Sequence, residues 1–174
     1  MRAPTLFVFS GLPGVGKTTL ARGLCQANSY TYLRIDSVEQ GLRTLTGLHV
    51  EAEGYRLSQR IAGDNLNLGN SVVADCVNPI SLSRKEWMDV AQRTHTTCVC
   101  IEVVCTDSAE HRRRIEQRSA DIEGLHLPTW DDVQHRQYEP WSTDVVRIDT
   151  AGRTPDTALQ QMLDRLQRNG LVAP

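Results

Sequence analysis

Between an apolar run, Thr5-Leu6-Phe7-Val8-Phe9, and an amphipathic stretch from Lys17 to Asn28, the chain carries Gly11-Leu12-Pro13-Gly14-Val15-Gly16-Lys17-Thr18-Thr19. This matches G-x-x-x-x-G-K-[ST] position by position, and it lies after a strand signal and before a helix signal, where such a loop must lie. Glycines allow the backbone to wrap so that successive N–H groups converge on phosphate oxygens, and the helix start adds the positive end of its dipole. Lys17 then reaches the β and γ phosphates, and the hydroxyl of Thr18 is placed for Mg²⁺. The expected ligand is a nucleoside triphosphate, ATP, with Mg²⁺. A strand that enters such a loop and a helix that leaves it already commit the first third of the chain to an α/β arrangement.

The remaining chain continues the alternation. Tyr30 to Ile35 reads as a strand ending at Asp36, Ser37 to Leu48 and about Gly54 to Leu68 as helices, and Ser71 to Ala74 as a strand leading into Asp75. A helix opens at Ser83 and runs to about Arg93, Thr97 to Val104 is a fourth strand, and Ser108 to Ser119 is a strongly basic helix. Asp144 to Ile148 supplies a fifth strand and Pro155 to Arg168 a closing helix with Leu159, Met162, Leu163 and Leu166 on one side. Short, almost wholly apolar strands separated by helices describe a parallel sheet covered on both faces. The expected fold is a doubly wound, three-layer α/β/α domain spanning residues 1–174, with a basic lid at about 108–120. An irregular, substrate-facing segment follows at about 120–143.

Composition then removes alternatives. The 19 Lys+Arg balance 21 Asp+Glu for a formal charge of −2, which leaves no excess for tracking a nucleic-acid backbone. Only Lys17 and Lys85 are lysine, followed by Thr-Thr and Glu-Trp, so the Asn/Thr-Lys-x-Asp motif that guanine-specific switches need is missing. A ring-forming ATPase needs a helical domain beyond its sheet, for which 174 residues leave no room. No run approaches the roughly 20 apolar residues of a membrane span, and Met1-Arg2-Ala3-Pro4 leads directly into the first strand, so a cytoplasmic protein without a membrane partner is expected. Cys25, Cys76, Cys98, Cys100 and Cys105 are odd in number and irregularly spaced, which suits reduced thiols better than a disulfide framework or a zinc site. The five histidines have no metal-ligand spacing.

What remains is mainly small kinases, which require an acceptor-activating carboxylate, an acid near Mg²⁺ and arginines that close over the transferring group. Asp36 sits at the carboxyl edge of the sheet, where it can face the γ-phosphate and handle an acceptor proton; it is equally placed to cap the Ser37 helix. Asp75 ends Val72-Val73-Ala74-Asp75, a pattern that holds Mg²⁺ in phosphate-loop enzymes and also ends many purely structural strands. Asn78 is a further candidate for the same cleft. Arg114 and Arg118, spaced i,i+4, can clamp phosphates from one helix face or pair with Glu110 and Glu116, while Arg112 and Arg113 read as surface residues. Trp130, Tyr138 and Trp141 can stack on a ring-bearing acceptor or brace the irregular segment.

Together, the loop Gly11 to Thr19, Asp36-Ser37, Asp75-x-x-Asn78, Arg114-Ile-x-x-x-Arg118 and Ile148-Asp149-Thr150 resemble the small phosphate-loop kinases grouped with chloramphenicol phosphotransferase, polynucleotide kinase and zeta toxin. The resemblance implies a five-stranded parallel sheet of order 2-3-1-4-5. It also implies a catalytic base at Asp36 and a place for Arg153 near the adenine. Leu12-Pro13 and the Pro128 to Trp141 stretch depart from chloramphenicol phosphotransferase and match uncharacterised kinases of the group, so the acceptor does not carry over. The expected activity is ATP-dependent transfer of the γ-phosphoryl to a hydroxyl of a small molecule: a metabolite, a nucleoside or nucleotide, or an antibiotic. The alternatives are a kinase of nucleic-acid 5′ ends or nucleotide sugars, and an ATP-binding regulatory module with little or no hydrolysis. Oligomeric state is not read from the sequence.

Overall fold

The computed structural model describes residues 3–47 and 49–172. Met1-Arg2 and Leu48, the expected end of the second helix, lie outside the described residues. The chain runs β1 (Thr5–Ser10), α1 (Lys17–Asn28), β2 (Thr31–Arg34), α2 (Ile35–Thr46), α3 (Glu53–Asn67), β3 (Val72–Asp75) and α4 (Ser81–Arg93). It continues through β4 (Thr97–Val104), α5 (Ser108–Glu116), α6 (Trp130–Gln134), β5 (Val146–Asp149) and α7 (Pro155–Arg168). All pairings are parallel, in the order β2-β3-β1-β4-β5 that the resemblance implies.

β1 occupies the middle because every one of its residues is buried, and its side chains alternate between two cores. Phe7 and Phe9 join Val99, Ile101 and Val103 of β4, Leu20 and Leu24 of α1, and Met162 and Leu166 of α7. Leu6 and Val8 point the other way, onto Val72 and Ala74 of β3, Ala62 and Leu66 of α3, and Trp87 and Val90 of α4. Burying each large side chain contributes roughly 1.5–3 kcal/mol, so the two layers hold the central strand from both faces. The register Phe7↔Val73 and Phe7↔Val99 brings the carboxyl ends of β1, β3 and β4 to one edge of the sheet. At that edge the crossovers diverge to opposite faces and leave a crevice.

Two boundaries that differ from the sequence pattern bear on the site. β2 stops at Arg34 and α2 starts at Ile35, with Arg34 as its N-cap and no side-chain cap. Asp36 therefore lies in the first turn of the helix, and the capping role open to it in the sequence is not taken. The basic helix ends at Glu116 with Gln117 as C-cap, so Arg118 falls just outside it and not on a shared face with Arg114. Within the irregular segment, Thr129 and Asp132 form a reciprocal capping box that starts the short helix α6.

Candidate active site

The loop between β1 and α1 wraps tightly because its glycines occupy positions closed to other residues. At Gly11, φ is +139° and an added Cβ would lie 2.2 Å from the carbonyl oxygen of Val103. At Gly14, φ is +81° and the Cβ would lie 2.6 Å from the side chain of Ile115. Gly16 caps α1 in a left-handed conformation with no side-chain bond, so the helix starts with open N–H groups. Lys17 is the first residue of that helix; its Nζ donates to the Leu12 carbonyl oxygen at 2.9 Å. Burial lowers the pKa of this ammonium, while Asp75 and Asp36 pull it back up.

One cavity of about 860 Å³ opens on the loop. Pro13, Gly14, Gly16, Lys17, Thr18 and Thr19 line it, together with Asp36, Asp75, Arg114, Arg118 and Arg153. The structure thus brings the catalytic and metal candidates of the sequence into one space. Gly11, Leu12 and Val15 shape the loop without lining the cavity. Asp75 is 4% exposed, and the Tyr32 hydroxyl donates to its Oδ2 at 2.7 Å, which holds the carboxylate at the cavity wall with its other oxygen free of that bond. Among the described residues no group of three or more His, Cys, Asp or Glu could hold a metal ion. A hydroxyl at Thr18 and a carboxylate at Asp75, both lining this cavity, are donors of the type Mg²⁺ takes, together with phosphate oxygens and water.

Asn78 does not reach the cavity. It is fully buried, donates from Nδ2 to Ser10 Oγ at 3.2 Å, and accepts at its backbone oxygen from Arg84 Nε at 3.1 Å.

Helix α5 is fastened to the phosphate loop. The Arg114 guanidinium donates to Thr150 Oγ1 at 2.8 Å, to the Thr150 carbonyl oxygen at 3.0 Å and to Glu110 at 2.6 Å. The Thr150 hydroxyl donates in turn to the Val15 carbonyl oxygen at 2.9 Å. Arg118 has no hydrogen bond or ion pair from its guanidinium among the described residues, and its charge is felt at Lys17. Arg153 donates to the Asp149 carbonyl oxygen at the far end of the cavity. Arg112 and Arg113 are exposed.

The aromatic residues of the irregular segment brace it instead of lining the cavity. Trp130 meets the His111 ring edge-on at a centroid distance of 5.2 Å. Tyr138 and Trp141 flank the buried Arg84, whose guanidinium carbon lies 5.1 and 4.3 Å from their ring centroids. The cavity wall in this stretch is Leu125, His126, Leu127, Pro128 and Arg136. Sequence reasoning also passed over Arg22, Arg34, Glu39, Arg43 and Asp121, all at the cavity. The available signal was Arg34 itself, a charge closing a strand directly before Ile35-Asp36.

A glycine loop, a buried lysine and two acids at the carboxyl edge of a 2-3-1-4-5 parallel sheet define a phosphate-loop kinase fold. The chain belongs to the AAA domain family AAA_33, whose model matches residues 6–140. A Thermococcus gammatolerans protein with the provisional name adenylate kinase is 23% identical over 165 residues, covering 94% of this chain and 86% of that protein. A gluconokinase from Sinorhizobium meliloti 1021 superposes with a TM-score of 0.69 at 16% identity, covering 97% of this chain and 95% of the other. The Mycobacterium tuberculosis APS kinase in complex with AMPPNP and APS superposes with a TM-score of 0.67 at 19% identity, covering 96% and 99%.

Proposed function

We propose that the protein is an ATP-dependent phosphotransferase, built as one domain, that moves the γ-phosphoryl of ATP to a hydroxyl of a small molecule. The observation that carries this reading is the convergence of Lys17, Asp36, Asp75 and Arg118 on one cavity at the phosphate loop. The kinase names of its relatives, and the AMPPNP held by the superposed APS kinase, support it.

In this reading the loop amides from Gly14 to Thr19 and the Lys17 ammonium hold the β and γ phosphates. Thr18 and Asp75 hold Mg²⁺, which when bound offsets charge on the phosphate oxygens. Asp36 orients the acceptor hydroxyl and takes its proton as the oxygen attacks in line. Arg118, whose guanidinium has no other partner among the described residues, neutralises charge on the transferring group, and Arg114 supports the loop through Thr150 while offering its edge to the cavity. Arg153 lies on the adenine side. Catalysis rests mainly on positioning and charge. The acceptor is a metabolite, a nucleoside or nucleotide, or an antibiotic, and five free cysteines suit a cytoplasmic location. Among the described residues no helix is long and apolar enough to cross a membrane.

The test is a screen of hydroxylated metabolites, nucleotides and antibiotics for ATP consumption above the basal rate, repeated with Lys17→Ala. An acceptor that raises consumption in the native protein and not in the variant is expected. A variant with undiminished transfer overturns the assignment.

A further inference from the structure

Two arginines at the edge of the cavity converge on one carboxylate. Arg34 ends β2, its side chain is only 5% exposed, and it grips Asp121 through both terminal nitrogens at 2.8 and 2.9 Å. Arg22, leaning over the Tyr32 ring, adds a third contact to the same carboxylate at 2.9 Å. All three residues line the cavity. A planar, bidentate guanidinium fork is the geometry that reads carboxylates and phosphates.

The pairing is unbalanced in two ways. Two guanidiniums face one carboxylate, which leaves a surplus positive charge, and the nearby Asp75 already has Lys17 as its counter-charge. Arg34 Nε is buried without a hydrogen-bond partner among the described residues, so one donor of this guanidinium is left unmatched by Asp121. Asp121 comes from the irregular segment beyond α5 and its side chain is 43% exposed, so it can leave without unfolding a helix or strand. A tetrahedral dianion would balance the charge and carries more acceptor oxygens than the carboxylate. Arg34 stands two residues before Asp36 and in register with Asp75, on the side of the cavity where the acceptor must lie.

We propose that Arg34 and Arg22 form an anion subsite of the acceptor, that Asp121 is its intramolecular occupant, and that the external ligand is a phosphomonoester group on the acceptor. The word acceptor rests on the kinase reading; the anion site does not.

The test follows the Arg34 Nε–Hε resonance by ¹⁵N NMR while inorganic phosphate is added at pH 8, with AMPPNP and Mg²⁺ saturating the phosphate loop. Removing a tethered competitor strengthens binding by its effective concentration, so Asp121→Asn should bind phosphate at least about tenfold more tightly than the native protein. Arg34→Lys combined with Asp121→Asn, which keeps the charge and loses the fork, should lose that gain when phosphate binding is followed at the Arg22 Nε–Hε resonance. Asp121→Ala repeats the measurement should the asparagine variant fold poorly. A silent Arg34 resonance in both Asp121 variants overturns the subsite, and equal binding of acetate and phosphate overturns the phosphomonoester. Gly14 and Gly16 amides that ignore AMPPNP would instead overturn the nucleotide reading, a separate signal in the same spectra.

Discussion

His111 and Pro13 are joined side chain to backbone: the imidazole Nε2 lies 2.7 Å from the Pro13 carbonyl oxygen, which makes Nε2 the donor. The bond is buried, and it ties α5 to the loop that cradles phosphate. Part of what the sequence suggests as a closing lid, helix α5 as far as Glu116, is therefore a buttress.

Replacing His111 by Ala leaves the Pro13 carbonyl without its partner, at a cost of roughly 1–3 kcal/mol. Denaturant unfolding should register that loss, and AMPPNP affinity should fall with it. His111→Gln, which can still donate, should recover part of both. Unaltered affinity in the alanine variant would mean that the loop holds its shape without the buttress.

At Gly14 an alanine meets both a positive φ and the Ile115 side chain. A loss of about 1–3 kcal/mol of stability and of most nucleotide affinity is expected. Adding Ile115→Ala removes the collision but not the backbone strain, so the double variant should recover only in part. Complete recovery would show that the clash alone matters.

Lys17 gives a pH signature. Burial lowers the pKa of its ammonium in the folded chain, so the unfolded chain binds more protons between that lowered value and the ordinary lysine range. Relative to Lys17→Met, the native protein without nucleotide should thus gain stability as pH rises through this window. Parallel stability curves for the two proteins on the alkaline side would contradict this. Phosphoryl transfer should be abolished in the methionine variant.

Asp36→Asn should retain AMPPNP binding and lose transfer by roughly 10²-fold or more, the usual scale for a positioned base. Calorimetry and turnover on the same preparation separate the two effects. Unchanged turnover would remove the proton-handling role.

Asp121 acts on the acid side. Hydrogen bonds from Arg34, and then from Arg22, hold its carboxyl below the usual carboxylate range. A depressed folded-state pKa contributes stability that is present above the unfolded value, near about 3.9, and is lost as pH falls through the carboxylate range. The difference in stability between native protein and Asp121→Asn, followed by denaturation from pH 7 to 3, should shrink as pH falls. A difference independent of pH would refute the charge pairing.

The strands and the phosphate loop were legible because each is written in neighbouring residues, whereas the sheet order followed only from the family resemblance. An apolar run such as Thr5 to Phe9 can only be a central strand, and the loop's spacing is its own signature. Asp36 lies at the cavity, and the capping role its sequence context left open is not taken, since only the backbone reveals that the helix begins one residue before it. Arg118 was grouped with Arg114 by helical spacing, which fails once the helix ends at Glu116. The pairing of Arg22 and Arg34 with Asp121 spans 99 and 87 residues, and no periodicity encodes it. The same holds for Arg84, whose bonds to the Asn78, Pro79, Glu139 and Pro140 carbonyls and contact with Trp141 exist only after folding.

The segment after α5 is anchored at both ends, by Asp121 on the sheet edge and by Glu139, whose carboxylate accepts from the Ser81 backbone N–H at 2.6 Å beside the Arg84 cluster. Between these anchors lie the residues that face the cavity, Leu125 to Pro128 and Arg136. Within this stretch Trp130 against His111 and the buried Val133 hold the backbone in place, which leaves the cavity-facing positions as the part that can be exchanged. Under the proposed kinase reading, a library confined to those positions is the economical way to alter what the cavity admits.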